Sequence, residues 1–235
     1  MLRSRVLRTG LVSALMILSS QVFAVPGAMT AVYDVYRNNK SVGYLESTLM
    51  YSGDQYEYKK TTKATGWAKL LTNASITEKS AGKIAGHAII PLTYLYDERT
   101  RSKTRVEQAR FVQGQATGIY KDKAYTVVTP ANVVDRSALE MVVARDLKRG
   151  LPTLVYPVME RGEVKTYTVV RLGSEKLQTN AGMFNTIKVS VKRADNNRET
   201  TFWMAEELDY LPAQMYHREK DSIIKSILNR YSRGR

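Results

Sequence analysis

Arg99, Arg101, Lys103 and Arg105 are four cations at alternate positions. In an extended chain alternate side chains share one face, about 6.5–7 Å apart. Such a row could meet a row of phosphates or uronates, so these four are the candidate ligand-binding residues. Residues 97–102 also have the composition of a hairpin tip, on which the cations would be a solvated loop. Other chemistry is scarce. There is no cysteine, hence no thiolate nucleophile and no thiolate metal site. Only two histidines occur, His87 and His217, far apart in the chain. A strand would put His217, Glu219 and Asp221 on one face as an acid–base or metal trio. Residues 218–222 read rather as a polar turn. The adjacent carboxylates Asp97/Glu98 and Glu206/Glu207 would point apart on a strand. No metalloprotease helix, nucleophile elbow or phosphate-binding loop is present. No catalytic residue, metal site or cofactor is therefore expected. A pair of carboxyls brought together across strands is the one enzymatic alternative that spacing leaves open.

Tyrosine stands out, with 15 residues against four phenylalanines. A ring with a flat apolar face and a polar tip suits lipid and carbohydrate sites. It is also an ordinary strand residue.

The elements that must carry these residues are strands. Residues 184–193 alternate apolar and polar, a turn is expected at 194–197, and further runs follow at 198–205 and 213–219. Period-2 alternation between turn residues marks half-buried antiparallel strands. The same pattern predicts strands at 30–37, 41–51 and 56–65, then at 73–80 and 83–90 around Ala81-Gly82, with Pro91 as a break. Hairpins are expected at 92–98 with 104–112 and at 116–120 with 124–129. Residues 66–71 read as a short helical or apolar plug. One substantial helix is predicted at about 136–149, opened by a Ser137/Glu140 capping box and stopped by Gly150 and Pro152. About a dozen strands and one helix, without βαβ alternation, predict a mainly β fold: a single curved antiparallel sheet or barrel-like meander.

Residues 1–24 read as a secretory signal peptide, with Arg3, Arg5 and Arg8 ahead of a short apolar run and cleavage expected at about Ala24/Val25. The remaining 25–235 would be one β-rich domain. Its lack of cysteine suits a bacterial periplasm better than a disulfide-dense scaffold. The formal charge is +14, and about +11 without the leader arginines. That balance favours anionic partners. No nucleic acid partner is expected, and no transmembrane span after signal cleavage.

Three blocks carry a family resemblance. The first is Ala31-Val-Tyr-Asp-Val-Tyr with Val42-Gly43-Tyr44; the second is Gly66-Trp67-Ala68-Lys69-Leu70-Leu71 with Pro91-Leu92-Thr93-Tyr94. The third runs from Glu175 through Gly182 to Lys188, then from Thr201 through Trp203 to Pro212. Together they resemble the exported bacterial family called domain of unknown function 3108 (DUF3108). The resemblance implies an envelope protein of curved, barrel-like β architecture, with no catalytic residues to carry over. Gly182, Trp203 and Pro212 are read as structural: a glycine for a tight turn, a core tryptophan whose N–H finds a carbonyl, and a proline starting an edge strand. The function expected is a non-enzymatic periplasmic binding or carrier protein for an amphiphilic or anionic envelope component, lipid or glycan. The alternatives are a structural or assembly partner of another envelope protein, and a hydrolase. A deep apolar cavity would favour lipid, a shallow aromatic groove glycan, and a bare edge strand a protein partner.

Overall fold

A computed structural model describes residues 25–193 and 199–234. The expected leader at 1–24 and turn at 194–197 lie outside the described residues. The first arm of the fold is a meander of β1 (Met29–Arg37), β2 (Lys40–Ser52), β3 (Gln55–Ala64), β4 (Ser75–Ala85), β5 (Ala88–Arg99), β6 (Thr104–Val112), β7 (Gln115–Tyr120) and β8 (Lys123–Val128). A short helix, α1 (Gly66–Thr72), interrupts it between β3 and β4. Then come β9 (Val134–Asp135), the helix α2 (Arg136–Lys148) and β10 (Val155–Glu160). The second arm continues with β11 (Glu163–Thr179), β12 (Gly182–Arg193), β13 (Glu199–Ala205), β14 (Leu211–Glu219) and β15 (Ser222–Arg233).

All fifteen strands form one sheet, in which β1 pairs with β15 and the arms run outward to β8 and β9. The expectation of a mainly β, curved meander with one substantial helix is met in outline, with more strands than a dozen. One part is corrected: β9 and β10 pair in parallel across α2, so the fold does hold a single βαβ unit. Sequence pattern misses it because a two-residue strand has no period.

The arms curl toward each other around α2. That helix buries Leu139, Met141, Val142, Val143 and Leu147, and buried residues occur on all its sides, as expected of a helix inside a fold rather than on it. It touches β4 and β5 of one arm and β10 and β14 of the other. The arm ends meet by side-chain packing: Ala116 of β7 joins Val133 and Met159 in a small apolar cluster, with Phe111, Val127 and Val164 around it.

Two local expectations change. Asp135, not Ser137, caps α2: its carboxylate accepts the N–H groups of Ser137 at 2.9 Å and Ala138 at 2.8 Å. Asp135 ends β9 with an extended backbone, the conformation an N-cap needs, and this leaves Ser137 and Glu140 inside the helix. Ala81-Gly82 is not a turn but the interior of β4, and Pro91 lies within β5 opposite Gly82. The register slips at that point, which accommodates a residue with no N–H for the ladder.

A Cβ at Gly82 would lie 2.1 Å from the Ile90 carbonyl oxygen and 2.8 Å from the Tyr56 ring. Gly82→Ala is therefore expected to lower Tm by roughly 5 °C or more in a thermal melt. An unchanged Tm would mean that the bulge is not so tight.

A candidate cavity beside a half-buried ion cluster

Strand alternation decides which residues face inward. In β3, Tyr56, Tyr58, Lys60 and Thr62 share a face, and the first two are buried. Tyr33 of β1 and Tyr94 of β5 are buried as well. Their hydroxyls are satisfied inside the fold: Tyr33 donates to the Pro212 carbonyl at 2.8 Å, Tyr58 to Glu140 at 2.8 Å and Tyr94 to Glu78 at 2.5 Å. Much of the tyrosine richness of this chain is thus a lining for the inside of a curved sheet.

Between α2 and the two arms lies a cavity of 370 Å³. One part of its wall is apolar, with Leu45, Ile76, Leu139, Val143, Phe202 and Met204. The other part is ionic, formed by Lys60, Glu78, Arg136 and Glu140. The Lys60 ammonium lies 2.6 Å from Glu140 and 3.3 Å from Glu78. Arg136, the first residue of α2, donates to the Tyr94 hydroxyl at 2.7 and 2.9 Å and sits over the Tyr96 ring, 4.6 Å from its centroid. It also pairs with Glu78 at 3.7 Å, Glu107 at 3.9 Å and Glu160 at 4.0 Å. Glu160 is held further by Arg193 at 2.5 Å and the Tyr167 hydroxyl at 2.9 Å.

Burial and pairing compete across this cluster. Burial alone would raise Glu78, but Lys60, Arg136 and the Tyr94 hydroxyl outweigh it and hold the carboxyl down at about 2. Burial would lower Lys60, yet Glu140 and Glu78 together keep it above its ordinary value. Glu160 is lowered in the same way, mainly by Arg136, against its burial. Glu107 goes the other way: its burial outweighs the help of Arg136 and raises it. Asp135, buried behind the cluster, is raised by burial to about 7, against the opposing hydrogen bonds from Ser80, Ala138 and Ser137. A carboxyl held as low as Glu78 is ionised at neutral pH and cannot act as a proton donor there.

The residues singled out in the sequence lie elsewhere. Arg99 ends β5 and Arg105 lies in β6, while Arg101 and Lys103 fall in the turn between, closed by a Thr100 N–H to Lys103 carbonyl bond of 2.8 Å. The chain reverses there, so the four cations share no strand face, and none lines the cavity. Arg99 pairs with Asp97 at 2.9 Å, and Glu98 takes Lys103 at 3.6 Å and Arg105 at 3.4 Å. Gly182 opens β12 just after a turn, at φ +133, a region glycine favours. Trp203 is not in the core. Its neighbours Phe202 and Met204 line the cavity, so strand alternation sends it to the opposite face. There Lys188 lies 4.8 Å from its ring centroid and its N–H donates to the Glu175 carboxylate. Pro212 is the second residue of β14, which lies between β13 and β15 rather than at an edge. A register slip beside Met204 spares the ladder bond it cannot make. His217 meets Thr200 Oγ1 at 2.7 Å, and the side chain of Glu219 lies outside the described residues.

Lys60, Glu78 and Arg136 escape sequence reasoning because each looks like a surface charge, and Glu140 because it reads as part of a helix cap. The signal for Lys60 was its period with Tyr56 and Tyr58.

The fold has a solved counterpart. A crystal structure of a beta-barrel-like protein of domain of unknown function DUF1849 from Brucella abortus superposes with a TM-score of 0.59 at 10% identity, covering 88% of this chain and 98% of that one. A structure described as a putative lipoprotein from Parabacteroides distasonis gives 0.38 at 9% identity, over 89% and 98% of the two chains. One described as a putative exported protein with a YmcC-like fold from Bacteroides fragilis gives 0.32 at 9% identity, over 88% and 96%. No curated protein matches the chain. The model of the family described as "Protein of unknown function (DUF3108)" matches residues 32–225.

Asp135 offers a test of the interior. The folded protein binds its proton more tightly than an unfolded chain does, the value moving from 3.8 to about 7. Its contribution to stability is full below the lower value and is lost as pH rises through the upper one. Asp135→Asn keeps the cap acceptor and removes the titration. The Tm of the variant is expected to gain on that of the native protein as pH is raised from about 5 to about 8. The Glu78 contribution is lost only in strong acid and is common to both proteins. A Tm difference that stays constant over this range would show that Asp135 does not titrate there.

Proposed function

The chain belongs to the DUF3108 family, and from that premise we propose that it is a non-enzymatic binding or carrier protein of the periplasm, holding a single-chain amphiphile in its cavity. The observation that carries this reading is one cavity whose wall is part apolar and part ionic. Its 370 Å³ lies within the range of small-molecule sites, about 300–1,000 Å³. At about 30 Å³ per water-sized group, it holds on the order of a dozen non-hydrogen atoms. That suits one short acyl or isoprenoid-like chain and excludes a whole multi-acyl lipid from entering entirely.

Charge pairing refines the ligand. Lys60 and Arg136 each already face carboxylates, so a bare anion would have to displace Glu78 or Glu140. An uncharged polar end, hydrogen-bonding to groups that stay paired, fits this cluster at lower cost than an anionic one. The ligand proposed is therefore an amphiphile with a neutral head in place of an anionic one. A second reading, assembly with another envelope protein, is favoured by β8, which ends the sheet with one side unpaired.

Monolaurin and laurate share a twelve-carbon chain, about what the cavity holds, and differ in the head, whose end nearest the chain would meet the ionic wall. In calorimetric titrations monolaurin is expected to bind, and laurate at least about tenfold more weakly, as follows if the anion must break a buried ion pair. Val143→Trp fills the cavity from α2 and is expected to abolish monolaurin binding while the protein still melts cooperatively. Failure of the native protein to bind monolaurin, or full binding by the filled variant, would sink the cavity reading.

A further inference from the structure

We infer that α1 and the neighbouring hairpin tip form a docking surface for an anionic membrane. The helix inverts the usual amphipathic arrangement. Its only buried residue is Ala68. Trp67, Leu70 and Leu71 point outward, 48%, 71% and 67% exposed. Isolated exposed leucines need no explanation, but a tryptophan and two leucines exposed on one seven-residue helix form an apolar knob. The knob is held in place rather than frayed. The Trp67 indole N–H donates to the Ser41 carbonyl at 3.0 Å, and the Thr72 carbonyl accepts the Arg101 N–H at 2.9 Å.

The second bond brings the basic hairpin tip against α1. Lys63 and Arg99 lie in the same row, since Lys63 pairs with Ser75 and Ser75 with Arg99. Around the knob stand Lys40, beside Ser41, then Lys63, Lys69 and Arg101, all exposed and none in an ion pair among the described residues. The nearby acids Asp97 and Glu98 are already taken by Arg99, Lys103 and Arg105. An apolar knob of Trp and Leu within a ring of unpaired cations matches the interface of an anionic bilayer, where Trp and Leu enter the headgroup boundary and Lys and Arg meet phosphates. The four cations of the sequence pattern thus divide: Arg99, Lys103 and Arg105 neutralise acids, and Arg101 is left to face the surface.

The cavity lies close to this end. Two of its lining residues, Thr62 and Ile76, are on the strands that flank α1. Docking would therefore bring the cavity near the bilayer. The link to ligand loading rests on the cavity reading above; the docking itself does not.

The test is sedimentation of the full protein with vesicles of phosphatidylglycerol mixed into phosphatidylcholine, compared with phosphatidylcholine alone. Strong binding is expected only with the anionic lipid. Each basic residue near such a surface multiplies binding about fivefold, so Lys63→Glu with Lys69→Glu and Arg101→Glu should weaken it by about a hundredfold or more. Leu70→Ser with Leu71→Ser should weaken it by about tenfold or more, with an unchanged melt because both residues are exposed. Equal binding to neutral vesicles, or native-like binding by either variant, would overturn the proposal. So would a dimer, seen without vesicles, that the leucine variant dissociates, since the knob would then seat a second copy of the chain. Val143→Trp separates the two readings: it should lose monolaurin and keep the vesicles.

Discussion

Arg136 is the residue on which the two arms of this sheet converge. It starts α2, inside the fold, and its guanidinium touches Tyr94 and Glu78 from one arm, Glu107 from β6 and Glu160 from the other. A half-buried cation needs such company, because leaving it unpaired away from water is costly. The constraint runs both ways. The carboxylates that satisfy Arg136 come from strands far apart in the sheet, so the sheet must curl until they meet. Asp135, one residue earlier, caps the helix and takes a hydrogen bond from Ser80 at 2.6 Å. Two consecutive residues thus fix the start of α2, and with it the direction in which its apolar side chains enter the interior.

The cavity follows from that arrangement. A fifteen-stranded sheet encloses more space than one thirteen-residue helix fills. α2 spans the interior and is tied at both ends: by the ion cluster at its start, and at its end by Lys148 to Asp209 at 2.9 Å and by Tyr156 to Asp146 at 3.0 Å. What remains beside it is a space walled by Leu139 and Val143 of the helix, by strand side chains and by the paired ions. Since those ions satisfy one another, the space can be emptied or filled without leaving a charge unpaired.

The surface has a different logic. α1 keeps its apolar residues outside although the interior has room for more apolar volume. Its seven residues connect β3 to β4 on the outside of the curved sheet. Exposed, they acquire meaning from the unpaired cations around them.

Much of the strand meander was legible from residue alternation, because period 2 survives wherever one face is buried. The helix was legible from its spacing and its Gly150–Pro152 stop. β9 was not, since two residues carry no period, nor was the continuity of β4 through Gly82, where a bulge imitates a turn. Nor was the ionic wall: Lys60, Glu78, Arg136 and Glu140 are separated in sequence, and only the curl of the sheet shows that they are partners. The stripe from Arg99 to Arg105 was legible as charge but not as geometry, because a reversal at residues 100–103 destroys the face that spacing implies. The sequence alone determined the class, the family pattern and the strand order along the chain, all of which depend on local periodicity. The tertiary structure decided which charges are buried together, where a cavity remains and which apolar residues stay outside, because these depend on contacts between residues that only closure of the sheet brings into range.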